Sequence, residues 1–156
     1  MMFKGRRLSA GFIAVAGCCA LALSGCQQIL PYIIQHPPKF DPTTVADLGA
    51  AQRDADALFA TLSSPASCSY SANTAQFNLV DSDLAALVTQ ANSLPNNSFS
   101  TNGARALQKG FDRFRAAAQA KDPACLPPGL AQDKKTSFDG AAGNLLTYEN
   151  AKPKGQ

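Results

Sequence analysis

Apolar residues return at three- and four-residue steps through most of the chain beyond residue 43. Val45, Leu48, Ala51, Ala55, Leu58 and Leu62 form one stripe with Phe59 beside it, while Asp47, Gln52, Arg53, Asp54 and Asp56 fall mostly off it. That period marks an amphipathic helix with one buried face. Asp41-Pro42 supplies a cap followed by a first-turn proline, so the helix is expected to start at Asp41 or Thr43, and Ser63-Ser64-Pro65 ends it. A second stripe, Phe77, Val80, Leu84, Leu87, Val88, Ala91 and Leu94, predicts a helix from Asn73 or Thr74 to about Ser93, broken by Pro95-Asn96-Asn97-Ser98. A third, Ala104, Leu107, Phe111, Phe114 and Ala118, predicts a helix from about Asn102 to Lys121, stopped by Asp122-Pro123. The fourth falls between Pro128 and about Asn150, with Leu130, Lys134, Phe138, Ala141, Leu145 and Tyr148 in step, although Gly140 and Gly143 weaken its propensity. The only competing strand signals are short ones near Phe40 and Tyr70, and no internal repeat is present. The expected fold is all-α: a small antiparallel bundle of three to four helices over residues 43–150, with residues 151–156 frayed.

The first 25 residues follow a different pattern. Lys4, Arg6 and Arg7 precede an apolar run from Leu8 to Leu23, which is short for a membrane span of about 20 residues. A positive start, a short apolar core and small residues at its end form the layout of an export signal. The run closes on Leu23-Ser24-Gly25-Cys26. Those four residues resemble the lipobox of a bacterial lipoprotein precursor. The resemblance implies cleavage after Leu23, Ser24 and Gly25, and acylation of the Cys26 sulfur. Residues 1–25 would then be an address, and Cys26 the first residue of a chain held to membrane by lipid. Several acyl chains on one residue give stable anchoring where a single chain is marginal. By the same resemblance, Gln27 in place of Asp after the cysteine implies transfer to the outer membrane, and the periplasmic face is the expected location. The residues leave two other readings open, an ordinary signal cut nearby with Cys26 incidental, and an uncleaved anchor.

Residues 26–42 are a tether rich in proline, which removes backbone donors and disfavours helix. Ile29, Leu30, Tyr32, Ile33 and Ile34 make it too apolar to hang free in water. It is expected to contact membrane, its own domain or a partner protein.

Removal of the signal changes the electrostatic picture. The precursor has 14 basic and 11 acidic residues, and the signal carries three of the former and none of the latter. The mature chain is therefore neutral, which leaves nucleic-acid binding without an electrostatic basis. Acylation of Cys26 also leaves two cysteines, Cys68 and Cys125. In an oxidising periplasm such a pair is most simply a disulfide, worth about 4 kcal/mol by chain-entropy arithmetic, with free thiols or a redox pair as alternatives. In an up-down bundle the ends of helices one and three lie together, and each cysteine follows one of those ends.

Catalytic chemistry finds little support. His36 is the only histidine and sits in the tether, so no histidine triad or multi-histidine metal site can be assembled. Asp54 and Asp56, like Asp81 and Asp83, are two residues apart and face different sides of a helix. The cysteines lack the number and spacing of a zinc or haem site. No glycine-rich phosphate loop or nucleophile elbow occurs. No enzyme, metal or cofactor is therefore expected. The feature left is a basic ridge on helix three, Arg105, Lys109 and Arg113, with Arg115 and Lys121 nearby. It reads either as bundle surface, with opposite charges on neighbouring helices, or as a dock for an acidic partner or phosphate headgroups. The expected function is that of a structural or adaptor component of an envelope complex. Two other classes stay open. One is a periplasmic inhibitor or immunity protein that inserts Pro65–Asn73 or Pro95–Gly103 into a toxin or lytic enzyme. The other is a carrier holding a small ligand in the bundle interior.

Overall fold

Asp41 starts the first helix by capping it. Its carboxylate accepts from the Thr44 backbone N–H and the Thr44 hydroxyl, each at 2.7 Å, with Pro42 at the first helical position. It also accepts from the Gln90 amide at 3.0 Å, which ties this helix start to the last turn of the next helix. The computed structural model describes residues 37–127 and 129–154. Within them lie four helices, α1 (Pro42–Leu62), α2 (Thr74–Ser93), α3 (Ser98–Lys121) and α4 (Leu130–Ala151), with one short 3₁₀ turn at Ser71–Asn73. No strand forms among the described residues, at Phe40, Tyr70 or elsewhere.

Each helix packs on two others, α1 on α2 and α4, and α3 on α2 and α4. Backbone and cap contacts give the direction. The start of α1 meets the end of α2 through Asp41 and Gln90, and the Phe40 N–H donates to Pro153 O just beyond α4. The start of α2 meets the end of α3, where the Ser71 N–H donates to the Asp122 carboxylate at 2.8 Å. The helices therefore run up, down, up and down, as the short connections suggested. Cys68 and Cys125 are joined in a disulfide, their Cα atoms 5.1 Å apart.

The core changes character along the bundle. Toward the disulfide it is aromatic: the Phe59 ring lies 5.1 Å from Phe114 and 6.1 Å from Phe138, and Phe77 packs on Phe111, Phe114 and Tyr70. Toward the other end, where α1 starts and α4 ends, it is aliphatic, with Leu48, Ala51, Leu84, Leu87, Ala91, Ala104 and Leu145 buried.

Three sequence expectations need correction. α3 begins one turn before Asn102, because Ser100 and Thr101 are buried polar residues that an apolar pattern does not register. The Thr101 hydroxyl bonds Ala91 O and Asn97 O, each at 3.0 Å. On α4 the buried face is Ala131, Phe138, Ala142, Leu145 and Glu149, so Lys134 and Ala141 are exposed and Tyr148 is only half-buried. Lys152, expected in a frayed terminus, is 5% exposed and bonded on all three ammonium protons.

Candidate docking cleft

α3 and α4 close tightly at one level and part at another. At Gly103 a Cβ would come 3.1 Å from a Leu145 methyl, so the missing side chain is what lets the helices meet. Two turns further on, a Cβ at Gly110 would meet nothing within 4 Å. Between these helices a cleft of about 180 Å³ opens there. Phe59, Leu107, Phe111, Phe114 and Phe138 form its apolar lining, with Ala106 and Gly110 on the α3 lip and Lys134, Ser137 and Ala141 on the α4 lip. Its origin is local: small residues stand at facing lip positions where larger ones would have filled the space.

The lips are cationic. Lys134 lines the cleft directly. Lys109 and Arg113 follow Ala106 and Gly110 by three residues, which on a helix makes them surface neighbours of the α3 lip. All three side chains are exposed, and none forms an ion pair among the described residues.

The rest of the basic ridge is divided. Arg105 is exposed and donates to the Asn92 side chain at 3.1 Å. Arg115 turns to α2, where it pairs with Asp81 and donates to Asn78 at 2.7 Å, and it also donates to the hydroxyl of Tyr70, in the segment before α2, at 3.1 Å. The acids of α1 do not answer α3, because those helices are diagonal. Asp56 pairs instead with Lys135 of α4, which also holds Asp139 at 2.7 Å. Asp54 faces Asp83 across the α1–α2 contact. Burial, then hydrogen bonding to and repulsion from Asp54, push the Asp83 carboxyl up to about 6, with Arg53 opposing the rise and Asp47 adding to it. A search within single helices missed this pair, since its members lie on two.

The sequence also hid a buried ion pair at the terminal end. Glu149 is 0% exposed and accepts from Lys152 at 2.6 Å, while Lys152 also donates to Asn97 Oδ1 at 2.5 Å and Ser100 Oγ at 2.9 Å. The second Glu149 oxygen has no partner among the described residues. Glu149 is the chain's only glutamate, and its i, i+3 spacing to Lys152 was the available signal.

A second cleft, about 400 Å³, lies beside the disulfide and is lined by Leu62, Pro65, Cys68, Cys125, Leu126 and Ala131 among others, none of them charged. Among the described residues no three His, Cys, Asp or Glu side chains converge as metal ligands, and no helix is long and apolar enough to cross a membrane. Leu23, Ser24, Gly25 and Cys26, the tether residues Ile29, Leu30, Tyr32, Ile33 and Ile34, and His36 lie outside the described residues. No family model, no characterised protein and no solved structure matches this chain.

Proposed function

We propose that this protein is a lipid-anchored lipoprotein of the outer membrane, facing the periplasm, whose helical bundle acts as an adaptor for another envelope protein. The observation that carries the reading is the run Leu23-Ser24-Gly25-Cys26 ahead of a tether and a compactly cored bundle. The apolar cleft between α3 and α4, fringed by cations without ion-pair partners among the described residues, supports the adaptor role. Acylated Cys26 would hold the chain to the membrane and leave the bundle to make the protein contact.

The carrier reading puts its ligand in the bundle interior, whereas the larger cleft of about 400 Å³ lies beside the disulfide, lined mainly by the segments that follow α1 and α3, and lends it little support. The inhibitor reading has less: α3 begins at Ser98, so little of Pro95–Gly103 is loop, and Asn73 at the end of Pro65–Asn73 is buried.

The test is mass spectrometry and fractionation of the full-length protein from its native membrane, followed by cross-linking. The expected result is an acylated Cys26, release of the Cys26→Ala variant from the membrane, and one reproducible protein partner. An unmodified Cys26 in the exported protein would overturn the anchor. Efficient cross-linking that never yields a protein partner would overturn the adaptor role.

A further inference from the structure

We infer that the α3–α4 cleft docks an acidic amphipathic helix of the partner, one apolar side chain of which seats between Gly110 and Ala141. This rests on the adaptor reading and adds the chemistry of the partner to it.

Size is the first argument. At about 180 Å³ the cleft is smaller than the pockets of about 300–1,000 Å³ that enclose small ligands. It suits a single large side chain entering as a knob, the unit that dominates protein interfaces. Gly110 is the second. Glycine inside a helix costs about 1 kcal/mol relative to alanine, and the bundle gains no packing from it, since a Cβ there would touch nothing within 4 Å. A Cβ would meet nothing at Gly140 or Gly143 either, so what sets Gly110 apart is its place on the cleft lip, where a missing side chain permits a foreign backbone close approach. Charge is the third. Lys134 lines the apolar floor, Lys109 and Arg113 neighbour its α3 lip by helical spacing, and such a rim favours an apolar stripe flanked by Asp or Glu. A second copy offering the same face would bring like charges together. An anionic lipid would satisfy the lips, but its chain exceeds the cleft.

The experiment uses the full-length lipidated protein in its native membrane. A photo-cross-linking phenylalanine analogue replaces Ala117, exposed on the stripe that continues Ala106, Gly110 and Arg113 beyond the cleft, in one strain and Leu79, an exposed residue of α2, in another. The captured peptide is sequenced by mass spectrometry. The expected adduct forms from position 117 and not from 79. Its peptide carries apolar residues at three- and four-residue steps with carboxylates beside them. The combined Lys109→Glu, Arg113→Glu and Lys134→Glu variant should cut its yield about tenfold. With the probe kept at Ala117, Gly110→Trp should abolish capture while the protein unfolds at the wild-type temperature. An adduct with a second copy of this chain, with a phospholipid, or with a peptide lacking acids overturns the proposal, as does a yield indifferent to charge reversal. Capture from Arg105 or Ile33 with none from Ala117 overturns the cleft alone and leaves the adaptor reading standing. Failure of capture from all of these positions overturns both.

Discussion

The two ends of the bundle are closed by opposite kinds of chemistry. At one end the Cys68–Cys125 bond joins the segments that follow α1 and α3, above a cluster of phenylalanines. At the other, the buried Glu149–Lys152 pair holds the end of α4 to Asn97 and Ser100 at the start of α3. The Asp41 cap does the same for α1 and α2. The covalent closure answers to redox potential and is indifferent to charge. The ionic one holds only while all its members are present, because removing one leaves the other desolvated and alone.

The largest expected effect comes from breaking that ionic closure. Lys152→Met should cost about 3–5 kcal/mol, since the Glu149 carboxylate stays buried without its counter-charge. The double variant Glu149→Leu with Lys152→Met should recover most of the loss. Urea unfolding of both separates a stabilising pair from one whose value appears only when it is broken.

Opening the other end should cost nearly as much. Cys68→Ala with Cys125→Ala is expected to lose about 2–4 kcal/mol. Reductant should lower the wild-type melting temperature similarly and leave the double variant unmoved. Equal sensitivity of both proteins to reductant would contradict the assignment.

A smaller effect is expected at the α1 cap. Asp41→Ala should cost about 1–2 kcal/mol at neutral pH. Burial works against the Asp41 carboxylate, but hydrogen bonds from Thr44, Gln90 and Thr43 outweigh it and hold its pKa below the ordinary value. Its contribution is therefore complete above the unfolded value near 4 and disappears as pH falls through the lower folded one.

The smallest effect has the opposite sign. Asp83 titrates near 6 in the folded chain against an ordinary 3.8, so the folded state binds more protons across that window. Its contribution to stability is complete below the unfolded value and is lost as pH rises through the folded one. Asp83→Asn should remove that slope and raise stability at pH 7 by about 1 kcal/mol once solvent screening is allowed for. Melting curves from pH 4 to 8 measure it.

Legibility in the sequence followed the range of the interaction. Asp41-Pro42 and Ser63-Ser64-Pro65 placed both ends of α1, because a cap and a break are properties of adjacent residues. The stripe Ala104, Leu107, Phe111, Phe114 and Ala118 is buried throughout α3. α4 was harder. Its apolar residues admit two overlapping faces, and choosing the one through Tyr148 excluded a glutamate as core. The actual face includes Glu149 because Lys152, Asn97 and Ser100 surround it. The ridge on α3 was legible as a row of cations, but not its division between α2 and the cleft lip.

By itself the sequence determined the helical class, the approximate length of each helix and the cysteines available for pairing. These follow from side-chain period, caps, breakers and residue counts, which need no knowledge of neighbours. Only the tertiary structure decided that Asp54 meets Asp83, that Lys152 is a core residue, and that α3 and α4 part at Gly110 after closing at Gly103. Each of those depends on how far one helix is rotated against another. The 3.6-residue period defines a face, but its angle is set by the packing of four helices at once.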